Sequence, residues 1–313
     1  MAKALVTGVG GFIGSRLAGK LCESGHVVVG IDSLKTGFEE NVPTDVEFII
    51  GDCADSVTYE HPALKFGRFD IIFHIAGQSS GEISFDDPVS DLHDNCVSTL
   101  RLLEFARSSS CKKIIFASSM SVYGDVADEP ISEDCPTKPL SMYAVGKLAS
   151  EHYLRLFTRY GIDSVSLRLF NVYGPGQNMS NLRQGMASIY LAQAIRDKCI
   201  EVKGAPDRFR DFVYIDDVVT VCERCIELDL TGTNIFNVCT GVKTKVSDVV
   251  ETIKKALGEE GLPVNYAQGT PGDQFGIFGD NSNLKSTFGG LEFVEFEEGI
   301  RRFVSHLDVF RST

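Results

Sequence analysis

The stretch Thr7-Gly8-Val9-Gly10-Gly11-Phe12-Ile13-Gly14 follows the strand-like Ala4-Leu5-Val6 and opens a helical pattern of apolar residues. Within it, Gly8, Gly11 and Gly14 recur at every third position. At a strand-to-helix turn, glycine permits a tight bend and lets bare backbone approach a pyrophosphate, which the helix N-terminus then attracts. The stretch therefore predicts a dinucleotide site. The alternative is a glycine turn that only closes the helix on the strand.

Asp32 ends the next apolar run, Val27-Val28-Val29-Gly30-Ile31. A carboxylate at this place can accept hydrogen bonds from an adenosine ribose, and it repels a 2′-phosphate. The position of Asp32 argues against a purely structural glycine turn. It predicts NAD rather than NADP as the cofactor.

Continuous apolar strands alternate with amphipathic helices along the first half of the chain, which predicts an α/β, Rossmann-type doubly wound parallel sheet. The predicted strands are Ala4–Val6, Val27–Ile31, Val46–Ile50, Ile71–His74, Ile114–Ala117 and Val165–Leu169, and the predicted helices are Phe12–Ser24, Val89–Ser109 and Tyr143–Tyr160. Ligands of such sheets bind at the carboxyl ends of the strands.

The pattern changes after about residue 170, where Gly174-Pro175-Gly176 interrupts it and shorter elements follow. We expect residues 1–170 to form an NAD-binding Rossmann domain. Residues 212–240 rejoin that domain if the strand-like Ile235–Val238 returns to the main sheet. Residues 171–313 then form mainly a smaller C-terminal lobe that binds the substrate.

The charge of the chain excludes some partners. Lys and Arg number 30 and Asp and Glu 43, a net charge of −13, which argues against nucleic-acid and anionic-membrane binding. No apolar run approaches the roughly 20 residues that cross a bilayer. The first strand begins at about Lys3, which leaves no room for a cleaved signal, and nine scattered cysteines suit a reducing compartment, so a cytoplasmic location is expected. Cys222 and Cys225 lie in a helical pattern and are read as buried thiols, and no metal site is predicted.

Tyr143 and Lys147 are the catalytic candidates, because they lie one turn apart on one helix face. A tyrosine hydroxyl, with an ordinary pKa of about 10, is a poor base at neutral pH. A nearby ammonium stabilises the phenolate, so the tyrosine can take a proton from a substrate hydroxyl. Ser118 and Ser119 end the preceding strand, where a hydroxyl can bridge the substrate oxygen and the phenolate. On an isolated helix, the same spacing would indicate a core aromatic residue and a solvated lysine.

Together these motifs resemble the extended short-chain dehydrogenases/reductases, specifically their NAD-dependent nucleotide-sugar epimerase/dehydratase branch, over essentially the whole chain. By this resemblance Ser119, Tyr143 and Lys147 are catalytic, and the nucleotide sugar is the partner. The resemblance also implies a cofactor site made of Gly8, Gly11, Phe12, Ile13, Gly14, Asp32, Asp52, Cys53, Ala76, Gly77, Asn95, Ser118, Tyr143 and Lys147.

The substrate residues also follow from the resemblance, which puts an asparagine and a diphosphate-binding arginine at Asn171 and Arg210. A guanidinium suits a diphosphate through its forked, charge-assisted hydrogen bonds, and Arg208 is an equally basic neighbour. Thr270 stands where the epimerases usually have arginine. The expected substrate-binding set is Gln78, Ser79, Ser80, Ser119, Asn171, Arg208, Arg210 and Asp273.

The reaction is predicted from two positions at which this chain differs from the dehydratases of the branch. Dehydratases of this branch carry Asp-Glu directly after the catalytic residue, whereas this chain has Met120 and Ser121. Elimination needs an extra proton-transfer group, so a 4-epimerase acting on a UDP-sugar is favoured. The alternatives are a dehydratase, a decarboxylase or a reductase of the same family, and a dinucleotide-sensing regulator on the same fold.

The resemblance also implies a homodimer in which the helices at Val89–Ser109 and Tyr143–Tyr160 pair with their symmetry mates in a four-helix bundle. The same apolar stripe would serve equally to cover the sheet. The candidate interface residues are Leu92, Cys96, Leu100, Leu103 and Leu148.

Overall fold

A computed structural model describes residues 1–269 and 275–311 of the chain. Its strands are β1 (Lys3–Thr7), β2 (Val27–Asp32), β3 (Glu47–Ile50), β4 (Ile71–His74), β5 (Lys113–Ser119), β6 (Asp163–Leu169), β7 (Asn171–Tyr173), β8 (Ile200–Lys203), β9 (Phe209–Arg210), β10 (Phe212–Tyr214), β11 (Thr233–Val238), β12 (Thr244–Lys245), β13 (Val264–Ala267) and β14 (Gly276–Ile277). Its α-helices are α1 (Phe12–Glu23), α2 (Pro62–Lys65), α3 (Pro88–Leu92), α4 (Ser98–Ser108), α5 (Met142–Phe157), α6 (Met186–Arg196), α7 (Ile215–Glu227), α8 (Val246–Leu257), α9 (Ser282–Phe288) and α10 (Phe296–Arg311).

Seven strands form the main sheet in the order β11-β6-β5-β4-β1-β2-β3. The pairs from β3 through β2, β1 and β4 to β5 are parallel, with Val6 opposite both Gly30 and Phe73. Its central strands are buried on both faces, as a parallel sheet between helices requires. The predicted α/β doubly wound fold is therefore confirmed. The strand predicted at Ile235–Val238 is part of β11 and joins this sheet.

The core beneath the helices contains apolar side chains of the strands, such as Leu5 and Ile72, both fully buried. Leu102 and Leu103 of α4 and Leu154 of α5 pack into the same cluster. Truncating one such leucine to alanine costs about 2 to 5 kcal/mol in comparable cores. Burial of these leucines holds the helices against the sheet, and it thereby positions the residues at the start of each helix.

The chain divides into two compact units. The first comprises Met1–Val122, Pro139–Arg168 and Val219–Phe236, and the second comprises Tyr123–Lys138, Leu169–Val218 and Asn237–Thr313. The first unit contains the main sheet except for Leu169 at the end of β6 and the last two residues of β11. The second contains the small sheets β10-β7, β12-β9-β14 and β13-β8. No helix in the described ranges is both long enough and apolar enough to span a bilayer.

The helix predicted at Val89–Ser109 is interrupted. Between α3 and α4, the residues His93–Val97 form a π-helical turn, a feature that often marks functional sites. Of the proposed interface residues on this span, Cys96 and Leu103 are buried within the chain. Leu103 packs in the core with the strands, as the alternative interpretation had it, and Cys96 contacts the Gly146 carbonyl of α5, whereas Leu92 is 54% exposed.

Candidate active site

The glycine turn brings the start of α1 against the end of β4. Gly8 has a φ of +74°, and a Cβ there would lie 2.8 Å from the Ala76 nitrogen. A Cβ on Gly14 would collide with the Gly8 carbonyl oxygen. Gly11 caps the helix without a side chain, which leaves the first helical amides, from Phe12 onward, without intrahelical acceptors. This bare backbone can approach an anion closely.

Asp32 is buried and organises the loop around the turn. Its Oδ2 accepts a hydrogen bond from the Gly10 nitrogen at 2.9 Å, and its Oδ1 accepts one from the Leu34 nitrogen at 2.8 Å. Leu34 has a φ of +57°, a conformation unusual for leucine. Each carboxylate oxygen has a further lone pair for a ligand hydroxyl.

The corner after β3 contains Asp52 and Cys53. Lys35 bridges it to the π turn, with Nζ 3.0 Å from Asp52 Oδ2 and 2.8 Å from Asp94 Oδ1. Together with His93, these carboxylates could offer three ligand atoms within 4.8 Å, but the Lys35 ammonium already forms an ion pair with each carboxylate. Burial raises the pKa of the Cys53 thiol to about 12, so this thiol stays neutral.

Ser119, Tyr143 and Lys147 are all buried in the first unit. Ser141 caps α5 by accepting a hydrogen bond from the Ala144 nitrogen at 3.2 Å, which places Tyr143 in the first turn. Burial raises the pKa of Tyr143 to about 12, while a hydrogen bond from Ser119 lowers it. Their joint catalytic role stays a prediction.

Lys147 is held by the end of β5. Its Nζ donates to the Ala117 carbonyl at 2.9 Å and lies 5.8 Å from the centroid of the Tyr143 ring. Burial lowers the pKa of Lys147 to about 8, and the negative charge of Asp91 opposes that shift. The ammonium has two further protons for a ligand.

Asp91 is a site residue that the sequence analysis missed. It is buried on α3, and its Oδ1 accepts a hydrogen bond from Asn95 Nδ2 at 3.2 Å. Burial raises the pKa of Asp91 to about 6, although Lys147 and Asn95 lower it. The signal in the sequence was the four-residue spacing of a carboxylate and an amide on one helix.

The side-chain oxygen of Asn95 lies beside Gly77, in the loop after β4. Among the described residues, Asn95 Oδ1 is buried without a hydrogen-bond partner. A Cβ on Gly77 would lie 2.6 Å from that oxygen and 3.4 Å from Lys147 Nζ. Because Gly77 has no side chain, the space beside Asn95 Oδ1 and Lys147 Nζ stays open. A ligand hydroxyl in that space could donate to Asn95.

A buried polar chain supports the π turn from the sheet. His74 Nδ1 lies 2.9 Å from Thr7 Oγ1, and His74 Nε2 lies 3.1 Å from Thr99 Oγ1. Thr99 and Ser150 both donate to the Asn95 carbonyl, at 2.7 and 3.0 Å. Burial lowers the pKa of His74 to about 3, so the imidazole is neutral. This chain fixes the backbone that carries Asn95.

Ser118 points away from its catalytic neighbour. Its Oγ donates to Glu151 Oε1 at 2.5 Å, and Arg168 binds both Glu151 oxygens, at 3.0 and 2.8 Å. The side chain of Ser118 therefore joins a buried ion pair, which ties β5, α5 and β6 together. The sequence analysis expected Ser118 at the cofactor and did not identify this pair.

The loop after β4 holds the predicted sugar-pocket residues of the first unit. Gln78 closes a local turn, because its Nε2 donates to the Ser80 carbonyl at 2.7 Å and its Oε1 accepts from the Ser80 nitrogen. Ser80 is buried and Ser79 is exposed. The backbone of this loop is therefore pinned by its own glutamine.

The second unit contains the predicted phosphate ligands. Arg208 and Arg210 are both buried, and burial followed by repulsion from Arg208 lowers the pKa of Arg210 to about 10. Arg210 Nη1 donates to the Phe209 and Phe275 carbonyls at 2.8 and 3.2 Å. Asn171 donates from its side chain to the Asp211 carbonyl at 3.0 Å. Thr270 and Asp273 lie outside the described residues.

Comparison with known proteins finds a matching family. The sequence profile of the NAD dependent epimerase/dehydratase family matches residues 4–239. The chain is 35% identical over 309 residues to a UDP-glucose 4-epimerase of Mycolicibacterium smegmatis, covering 96% of this chain and 97% of that protein.

Two solved structures are also similar. A UDP-glucose 4-epimerase of Thermotoga maritima with UDP-glucose superimposes with a TM-score of 0.93 at 32% identity, covering 99% of both chains. TunA, an NAD-dependent NDP-hexosamine 5,6-dehydratase, superimposes with a TM-score of 0.87 at 26% identity, covering 99% of this chain and 98% of that one. With its glycine turn, its buried Tyr143 and Lys147, and a match over most of its length, the chain belongs to the NAD dependent epimerase/dehydratase family.

Proposed function

We propose that this protein is an NAD-dependent nucleotide-sugar 4-epimerase, acting on a UDP-sugar. The observation that carries the proposal is the buried group of Ser119, Tyr143 and Lys147, with Met120 and Ser121 beside it in place of a proton-transferring acid and base. Reversible oxidation needs one base, whereas elimination needs a further acid or base. The similarity to UDP-glucose 4-epimerases supports the same reaction.

The residues of the first unit fit NAD. The bare turn at Gly8 and Gly14 suits the pyrophosphate, and Asp32 suits the adenosine ribose. The partnerless Asn95 Oδ1 and the remaining Lys147 protons suit ribose hydroxyls near the nicotinamide. Asp52 and Cys53 would border the adenine, and Ala76 the strand end beneath the cofactor.

In the proposed mechanism, Tyr143 takes the proton from the sugar 4-hydroxyl, and Ser119 orients that oxygen. Bound NAD would supply the sink and then the source of the hydride of sugar C4. Between the two transfers the 4-keto sugar would turn over in the pocket, so that the hydride would return to its opposite face. Ser119 lowers the pKa of Tyr143 from the raised value that burial imposes, and the Lys147 ammonium would stabilise the phenolate. Tyr143 then returns its proton to the new 4-hydroxyl, so the enzyme ends unchanged.

The second unit would bind the sugar nucleotide. Arg208 and Arg210 are two buried cations whose mutual repulsion lowers the Arg210 pKa. A diphosphate would relieve that repulsion, and forked guanidinium groups match its oxygens. Asn171 is the proposed contact to the sugar, and Asp273 remains a predicted one.

The exposed apolar residues of the helical pair support the proposed homodimer. Val89 and Leu92 of α3 and Val145 and Leu156 of α5 are each more than half exposed. Contiguous exposed apolar side chains on adjoining helices are typical of an interaction surface. A pairing of these helices between two copies would bury them.

The test is proton NMR of the purified protein with UDP-glucose, UDP-N-acetylglucosamine and their uronic acids, each with added NAD. We expect the C4 epimer of one of them without accumulation of NADH. Tyr143→Phe removes the base and should lower turnover at least about a hundredfold. Near-normal turnover of that variant would refute the proposed mechanism.

A dehydratase is the second candidate, because TunA shares the fold and the family. It would form a product that has lost water, which the same spectra distinguish from an epimer. Net conversion of NAD to NADH would instead indicate net oxidation of the sugar, and net consumption of added NADH would indicate a reductase. Binding of NAD without turnover of any nucleotide sugar would favour a dinucleotide-sensing regulator.

A further inference from the structure

Ser121 lies two residues after Ser119, in the 3-10 turn Met120–Tyr123 that follows β5. Its backbone nitrogen donates to Ser119 Oγ at 3.2 Å, and its own Oγ donates to the same atom at 2.9 Å. A serine hydroxyl has two lone pairs and one proton. Both lone pairs of Ser119 are thus occupied by Ser121, and only the proton of Ser119 is left.

The direction of that last proton matters for Tyr143. The Ser119 hydroxyl, acting against burial, lowers the pKa of Tyr143. A phenolate can only accept hydrogen bonds, so Ser119 must donate to it. The hydroxyls of Ser121, Ser119 and Tyr143 thus form a row. When Tyr143 is ionised, Ser121 donates to Ser119 and Ser119 donates to Tyr143, so each proton of the row has an acceptor.

We propose that Ser121 is a positioning residue, which orients the Ser119 hydroxyl so that its single proton points to the Tyr143 oxygen, beside which the substrate oxygen would lie. The inference rests on the proposed function, in which Tyr143 is the base. When Tyr143 receives a proton it becomes a donor, and the row can reverse, with Ser119 donating to Ser121. The two hydroxyls therefore follow the protonation of Tyr143 without any movement of the backbone.

The other charged groups around Tyr143 are unchanged by a substitution at Ser121. Asp91 faces it from α3, and Lys147 lies one turn along its own helix, α5. Because neither of these hydrogen bonds with Ser121 in the described structure, a change in the titration of Tyr143 reports on the Ser119–Ser121 pair.

The experiment compares Ser121→Ala with Ser121→Thr, which keeps the hydroxyl. The control is Ser108→Ala, which also removes a hydroxyl donor, one that binds the Phe105 carbonyl at 2.9 Å on α4. Each variant is titrated by ultraviolet difference spectroscopy of tyrosinate, with Tyr143→Phe as the reference. The pH dependence of kcat and KM is measured in parallel on the sugar that the NMR experiment identifies.

Loss of one hydroxyl donor should lower kcat at neutral pH about threefold to tenfold in Ser121→Ala, with KM within about twofold of wild type. The pKa of Tyr143, and with it the rising limb of the kcat profile, should move up by as much as about one unit. Ser121→Thr and Ser108→Ala should stay within about twofold of wild type in both constants.

An unshifted tyrosinate titration in a folded Ser121→Ala, or a Ser121→Thr variant that behaves like Ser121→Ala, would overturn the proposal. The spectroscopic readout separates it from the proposed function. A shifted titration in a protein that epimerises no nucleotide sugar would refute the function and keep the positioning role. Normal epimerisation with an unshifted titration would support the proposed function and refute the positioning role of Ser121.

Discussion

Replacing Glu151 with glutamine should destabilise the first unit strongly. Glu151 and Arg168 expose only 3% and 4% of their side chains, and their bidentate contact is completed by Ser118. Glutamine has the same shape but presents an amide donor to a guanidinium donor, and it removes the negative charge. Arg168 then stays buried without its carboxylate, which costs about 3 to 5 kcal/mol in comparable pairs.

That free energy corresponds to a fall in melting temperature of about 6 to 20 °C for a unit of this size. Thermal unfolding followed by circular dichroism measures it. The matched control is Glu104→Gln, which breaks the 3.1 Å ion pair with Arg101 on α4, where the side chains are 64% and 45% exposed. An exposed pair contributes about 1 kcal/mol or less, so this variant should melt close to wild type.

Equal melting temperatures for Glu151→Gln and Glu104→Gln would refute the reasoning, because burial would then make no difference to the ion pair. A second comparison separates charge from packing. Replacing Glu151 and Arg168 together by methionine removes both charges, and it should recover much of the stability lost in Glu151→Gln. If the double variant is worse than the single one, packing and not the unpaired charge accounts for the loss.

Three further predictions concern charge and surface. Burial raises the Asp91 pKa from 3.8 to about 6, so the folded protein binds more protons than the unfolded chain between these values and its stability falls as pH rises through them. Urea unfolding should therefore find Asp91→Asn equal to wild type near pH 4 and more stable by up to about 3 kcal/mol at pH 7, although less active; lower stability at pH 7 would contradict this. Arg210→Gln should weaken UDP binding in calorimetry about tenfold to a hundredfold, whereas the exposed Arg183→Gln should not, and equal effects would argue against a diphosphate site at Arg210. Light scattering should find a dimer that Leu92→Asp dissociates and Phe66→Asp, at a side chain 79% exposed, does not; a wild-type monomer would contradict the interface.

The sequence alone was enough to predict the sheet, because several of its strands, such as β1, β2 and β4, are apolar runs bounded by turn residues. It also located Gly8, Asp32 and Tyr143 at the carboxyl ends of strands or the start of a helix, since those positions follow from local spacing. Lys147 follows from Tyr143 by the helical repeat. These inferences need only neighbours along the chain.

Other features depended on contacts between distant segments. Arg168 is 17 residues from Glu151, and nothing in either local pattern indicates that they pair. Asp91 could be identified only from the tertiary structure, which buries it close enough to Lys147 for its charge to raise the pKa of that lysine. Ser118 donates to Glu151 and Ser121 donates to Ser119. The spacing of the serines along the chain does not specify these side-chain directions.

The sequence by itself determined the fold class and the family and predicted Tyr143 as the base, because glycine spacing, apolar periodicity and the Tyr-x-x-x-Lys repeat are local constraints on the backbone. Tertiary structure alone decided how those residues are tuned. Burial raises the pKa of Tyr143 and lowers that of Lys147, and the π turn aims Asn95 Oδ1 at Gly77. The physical reason is that desolvation and hydrogen-bond direction depend on which distant side chains close around a group, and a linear pattern does not specify that.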